Sequence, residues 1–295
     1  MNQLTMTSVT RTAAIETFEL PGGAVFPESV GVDPESGAGY VGSLADGALY
    51  RLVRPGEVEL WSPARKDERT SVAGVKVDAR GRLWAAGGYE GTLHVYDLAS
   101  RGLIARLDVG ARPSCVNDIA FDPGGDAYVT DSLISLLFRV TGEPPALEPW
   151  VDLAEQGVPW AEGLNLNGIV LTPDRRHLVA CQTNLGRFWQ VSVETGAVRE
   201  VALDCGTLQH CDGMALTGST LYVAINARNL IAVIDLADDG STGSLKATLT
   251  SGAFAFPTAV AARCEHLLVV NGQLDEMGRA PRLPFTVVAI DRPGG

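Results

Sequence analysis

Five of six evenly spaced positions in this chain carry side chains suited to one kind of chemistry: Glu28, Asn117, Asn167, Asp212 and Thr258, with Ala73 the sixth. Each lies five residues ahead of an Asp, Thr or Arg at which a short apolar run ends, as in VNDIAFD around Asn117 and LNGIVLT around Asn167. The positions recur at intervals of 44 to 50 residues. Two carboxylates, two carboxamides and a hydroxyl supply only oxygen, with no His or Cys among them. Such a set suits a hard divalent cation, calcium first, with magnesium, manganese or zinc as alternatives. Without a cation, two carboxylates brought face to face repel, and one of them holds its proton. Taken singly, each residue has a plainer explanation. Asn167-Gly168 and Asp212-Gly213 are common turn dipeptides, and Glu28 follows Pro27. Four oxygen-bearing side chains at one register position are more than punctuation requires.

A steady period of this length means an internal repeat. Each unit divides into short β-prone runs separated by turn residues. In the first unit these are 29–32, 40–43, 48–53 and 58–61; in the third, 119–121, 127–130, 135–140 and 147–151. Four strands in about 45 residues is the size of a propeller blade. The sixth unit has runs at 259–262, 266–271 and 285–291 and no room for a fourth. Residues 14–20, ahead of the first repeat, can supply it and close the ring, which removes an open sheet edge. The expectation is an all-β fold: a six-bladed β-propeller of four-stranded blades, one domain over 1–295, with 1–13 as a flexible N-terminal tail. In such a ring the innermost strands line a channel, and the six positions meet at one end of it.

Composition narrows the function. The chain has 295 residues, 46% hydrophobic and 20% charged, with a formal net charge of −12. That balance disfavours nucleic acid and anionic membrane as partners and leaves a small-molecule substrate. No apolar run has the length of a signal-peptide core or a membrane span, so a cytoplasmic location is expected. Five Cys, an odd number, point to reduced thiols. Oligomeric state is left open.

The motifs FPES, VNDIAFDP, LNGIV and CDGMAL also give the chain a resemblance to the senescence marker protein/gluconolactonase family, which includes regucalcin and bacterial sugar lactonases. It extends from about Phe26 to Asp291. The resemblance implies a six-bladed propeller with one divalent metal bound by Glu28, Asn167 and Asp212. It further implies that Asn117 contacts substrate and that Asp212 doubles as general base, so that the catalytic pair is Asp212 and Asn117. The implied activity is hydrolysis of a lactone or related ester through a metal-polarised carbonyl. Propeller relatives also include condensing enzymes, so a natural-product cyclase or condensing enzyme is the alternative and a non-catalytic binding propeller the third. The chain departs from the sugar lactonase pattern in reading Pro-Glu-Ser and in placing Cys115 and Val116 where an Arg is usual. With Phe26, Trp160, Leu164, Leu166, Phe254 and Phe256 near the six positions, a less polar substrate is expected.

Further candidates lie close by. His210, two residues before Asp212, and Arg69, ahead of the second inner strand, are expected at the channel mouth as substrate-binding residues. Cys205, His210 and Cys211 lack the paired spacing of a structural zinc site. Asp131-Ser132 and 182–184 fit either the cavity or strand-end turns. Trp84, Tyr128, Trp189 and Tyr222 are expected in the core.

Overall fold

The fold is seen in a computed structural model that describes residues 8–293. Six sheets, each built on four antiparallel strands, form a ring, one per repeat, giving a six-bladed β-propeller. The first blade shows the pattern: Pro27–Val32 innermost, then Gly39–Ser43, Leu49–Arg54 and Glu57–Ser62 at the outer edge. The other inner strands are Gly74–Val77, Val116–Phe121, Leu166–Leu171, Cys211–Thr217 and Pro257–Arg263.

In four blades the residue that ends the inner run has a local duty. Asp33, Asp78 and Asp122 accept backbone N–H bonds from Glu35, Arg80 and Asp126, and Thr172 accepts one from His177. A short polar side chain that bonds its own backbone two to five residues on is what makes such turns tight. In two blades the same carboxylate also holds the aromatic of the second strand. Trp84 Nε1 donates to Asp78 at 2.8 Å, and the Tyr128 hydroxyl donates to Asp122 at 3.1 Å. All four aromatics expected in the core, Trp84, Tyr128, Trp189 and Tyr222, are buried.

Glu16–Leu20 pairs antiparallel with Phe285–Asp291 and completes the sixth blade, as expected from the missing fourth strand. Phe18 and Leu20 drive this, since both are buried in the core between the first and sixth blades. The tail expectation needs correction. Residues 1–7 lie outside the described residues, but Ser8–Arg11 forms a strand parallel to Thr242–Thr250 on the edge of the fifth blade. The chain leaves the fourth blade early: Val198–Glu200 is that blade's outer strand, and Ala202–Leu203 already pairs with the fifth. All five cysteines are free thiols. Among the described residues no helix is long and apolar enough to cross a membrane.

Candidate metal centre

The six register positions lie at the starts of the inner strands, at one end of the channel. Five of them coincide with a break in strand pairing. Register shifts fall between Pro27 and Val30, Val116 and Ile119, Leu166 and Ile169, Cys211 and Met214, and Pro257 and Ala259. A bulge frees a residue from the ladder and re-aims its side chain. In the second blade pairing runs unbroken from Gly74 to Val77, and the residue in register there is Ala73, which has no ligand to present.

The turn explanation for the Gly dipeptides therefore fails. Asn167-Gly168 and Asp212-Gly213 lie inside strands. Gly is needed because neighbouring inner strands touch there. A Cβ on Gly168 would stand 2.6 Å from the Asp212 carbonyl oxygen, and one on Gly213 would stand 2.9 Å from the Ala259 Cα.

Side chains at the ends of the second strands of the third and fourth blades fasten the bulges at Asn167 and Asp212 to the preceding blade. The Thr130 hydroxyl donates to the Asn167 carbonyl at 2.7 Å, and the equivalent Cys181 Sγ lies 3.2 Å from the Asp212 carbonyl. Two residues further along, Ser132 donates to the Leu166 carbonyl, and Thr183 donates to the Cys211 carbonyl at 2.7 Å.

The site side chains are held in turn. Asn117 Nδ2 donates to the Ser132 hydroxyl at 3.0 Å, which orients the carboxamide and leaves its second N–H and its oxygen available. Asn226 Nδ2 donates to Asp212 Oδ2 at 2.8 Å. The other oxygen, Asp212 Oδ1, is buried without a hydrogen-bond partner among the described residues. Glu28, 6% exposed, makes no side-chain hydrogen bond among them. Burial, then the charges of Asp212 and Asp118, push Glu28 well above the usual carboxylate range, with Lys76 opposing. Burial pushes Asp212 up to about 7 against the pull of Asn226 and Asn167, and Asp118 adds to the rise. Burial likewise lifts the nearby Cys115 thiol to about 12, reinforced by Asp131 and Glu28.

This arrangement fits a divalent ion. Asp212 Oδ1 is an orphaned acceptor, Glu28 is a second buried carboxylate, and Asn167 adds a carboxamide. Among the described residues no three His, Cys, Asp or Glu side chains gather as a metal cluster, so the carboxamides are needed to complete a donor set. Asp118 is engaged elsewhere: its Oδ1 lies 2.9 Å from Lys76 Nζ, and its Oδ2 accepts the Ile169 N–H at 3.2 Å.

Two expectations for the mouth change. Arg69 is not a substrate-binding residue but a buried strut, 1% exposed. Its guanidinium donates to the Gly47 carbonyl at 2.6 Å, to the Ser62 hydroxyl at 2.9 Å and to the Tyr96 hydroxyl, tying the first blade to the second. Of the apolar residues assigned to the mouth, Phe26, Leu166 and Phe254 are core, while Trp160, Leu164 and Phe256 remain partly exposed. His210 is exposed in a left-handed conformation (φ 68°), with its backbone N–H on the Thr183 carbonyl. Asp131 serves a turn, accepting the N–H groups of Cys115, Leu133 and Ile134. Gln182 is fixed to Pro159, Asn165 and Trp189. Tyr89 was not singled out in the sequence, yet it is exposed beside Cys115, placed there by the paired backbones of Gly88 and Val116.

No protein-family model and no curated protein sequence matches the chain. Solved structures do. The major allergen Mala s 1 of Malassezia sympodialis is 16% identical with a TM-score of 0.72, over 94% of this chain and 96% of that one. The calcium-binding protein regucalcin from Agrobacterium tumefaciens is 16% identical with a TM-score of 0.66, over 96% and 97%. Virginiamycin B lyase from Staphylococcus aureus is 13% identical with a TM-score of 0.63, over 87% and 81%. At such identities the likeness is one of fold, shared by proteins of different activities.

Proposed function

We propose that the chain is a divalent-metal-dependent hydrolase of a lactone or related ester, acting on a small-molecule substrate in the cytoplasm. The observation that carries this is Asp212: buried at the channel mouth, one oxygen held by Asn226, the other without a partner beside the buried carboxylate of Glu28. A scaffold propeller has no use for such a pair, because two buried, poorly solvated carboxylates only destabilise it. The calcium-binding description of the regucalcin neighbour agrees with a cation here.

Glu28, Asn167 and Asp212 would hold the ion. When bound, it supplies electrophilic polarisation of the ester carbonyl and makes a water more acidic. The protein groups have separate tasks. Asp212 Oδ1 takes the proton of the water that attacks the carbonyl carbon and returns it to the alkoxide released when the ring's acyl C–O bond breaks, while Oδ2 stays on Asn226 and fixes the carboxylate plane. Asn117, oriented by its Nδ2 bond to Ser132, offers Oδ1 to a substrate donor and so orients the ring. His210 and the partly exposed Trp160, Leu164 and Phe256 border the entrance and favour a substrate with an apolar portion.

The test is turnover of a panel of sugar and aliphatic lactones by chelated protein, with calcium, magnesium, manganese or zinc restored one at a time. Hydrolysis that returns with the ion and disappears in Asp212→Ala is the expected result. One tightly bound ion with no turnover of any lactone would transfer the site to a cyclase or condensing reaction. No bound ion would refute the metal centre.

A further inference from the structure

The channel changes character along its length. At the far ends of the inner strands a cavity of about 300 Å3 opens between Val32, Val77, Phe121, Leu171, Leu216 and Ala262. Lys76 also lines it, the one charged side chain among its walls. Between this apolar end and the candidate metal centre stands the ion pair of Lys76 and Asp118, at 2.9 Å. Asp118 is 3% exposed and ties three blades together: it belongs to the third, pairs with Lys76 of the second and accepts the Ile169 N–H of the fourth. Lys76 also packs against the first blade, because a Cβ on Gly31 would lie 2.9 Å from its Cα. Gly31 is three residues from Glu28.

The charges of this region can therefore be counted. Glu28, Asp118 and Asp212 contribute three negative charges, and Lys76 contributes one positive. Asn117, Asn167 and Thr258 are neutral. Asp131 keeps its charge on three backbone N–H groups and the Ser114 hydroxyl, and it is left out because, unlike Asp118, it is not among the charges that act on Glu28 or Asp212. The remainder is two negative units, the complement of one divalent ion. In a partly buried site a single unit charge is felt over several ångströms with little screening.

We propose that Lys76, by neutralising Asp118, holds the candidate metal centre at two negative units and so selects a divalent over a trivalent cation. This rests on the metal reading above. Lys76 and Asp118 act as positioning residues, through electrostatics, without touching the ion. Lys76→Met leaves three negative units and shifts preference towards a trivalent ion. Asp118→Asn leaves one, and weakens divalent binding. The double variant Lys76→Met/Asp118→Asn returns to two, and restores the preference of the natural chain although both side chains have changed.

The experiment is titration of chelated full-length protein with Ca2+ by calorimetry and with Tb3+ by luminescence. The expected results are a rise in the Tb3+/Ca2+ affinity ratio on the order of tenfold in Lys76→Met, a similar fall in Ca2+ affinity in Asp118→Asn, and a ratio near that of the natural chain in the double variant. Should Lys76→Met fail to fold, Asp118→Asn and the double variant carry the same comparison. Ca2+ binding by the natural chain with ratios unchanged across the variants overturns this inference alone. No Ca2+ binding by the natural chain overturns the metal reading, and this inference with it.

Discussion

Asp212→Asn should make the metal-free protein more stable while removing its response to calcium. The carboxyl of Asp212 is pushed by burial from an ordinary 3.8 to about 7. The folded state therefore binds more protons than the unfolded state between those values. Stability contributed by the protonated group is full below about 3.8 and is lost as pH rises through about 7. At neutral pH the accumulated cost is about 4 kcal/mol, a ceiling because Glu28 and Asp212 titrate together. For 295 residues the unfolding entropy is about 0.6 kcal/mol/K, so relief of that cost raises Tm by about 6 °C. Asn keeps an oxygen for Asn226 Nδ2 and turns an N–H towards Glu28. The assay is thermal unfolding at several pH values in chelator, then with calcium added. In chelator the natural chain should lose Tm relative to the variant as pH rises from about 4 to about 7. Calcium at about 100 times its Kd should return about 3 kcal/mol, or about 4 °C, to the natural chain and nothing to the variant. A lower Tm for Asp212→Asn in chelator at pH 7.5 would refute the claim that the carboxylate is held at a cost. Equal stabilisation of both proteins by calcium would refute its role as a ligand.

Three further outcomes follow from neighbouring residues. Asn226→Ala, which frees Asp212 Oδ2, should weaken calcium binding about 10- to 100-fold with the fold intact, as measured by calorimetry and circular dichroism. Arg69→Met strands the Tyr96 and Ser62 hydroxyls and the Gly47 carbonyl, so denaturant unfolding should show a loss on the order of 3 kcal/mol, while calcium affinity of the folded protein stays unchanged. His94 is buried, and burial lowers its pKa from 6.5 to about 4. The unfolded state then takes up the proton first, so stability present above about 6.5 is lost as pH falls towards 4, by roughly 3 kcal/mol. His94→Gln should show a flatter Tm profile than the natural chain over that window, and an equal slope would contradict the assignment.

The inner strands were legible because their pattern is local: an apolar run ended by a polar residue that folds back on its own backbone. Closure by 14–20 was legible by subtraction, from the missing strand of the last repeat. The bulges were not, because a register shift belongs to the pairing of two strands and leaves no mark on either alone. The Gly after Asn167 and after Asp212 could not be told from a turn residue until the neighbouring strand was in place. Arg69 shows the same limit. A residue just ahead of an inner strand can face the mouth or lie back between blades, and its partners Gly47 and Tyr96 are more than twenty residues away on either side. Ser132 and Asn226, which orient Asn117 and Asp212, did carry a signal. With Thr183 they are the polar residues following the second strands of the third, fourth and fifth blades, a periodicity visible only once the repeat is aligned strand by strand. Ser8–Arg11 carried none, since a parallel strand on a sheet edge has no connecting turn to announce it.

The closing strand has a consequence for the site. Glu16–Leu20 ends only a few residues before Pro27–Val32, which bears Glu28, and the intervening segment is anchored where the Ser43 hydroxyl donates to the Val25 carbonyl at 2.9 Å. Peeling the closing strand away from Phe285–Asp291 would tug on one ligand while Asp212, in another blade, stayed put. A cation gripped by both would resist that separation as a rivet resists the opening of a hoop. Slow amide exchange in the closing strand would then depend on an ion that never touches it, and the ring's endurance and the site's occupancy would be a single equilibrium seen from two places.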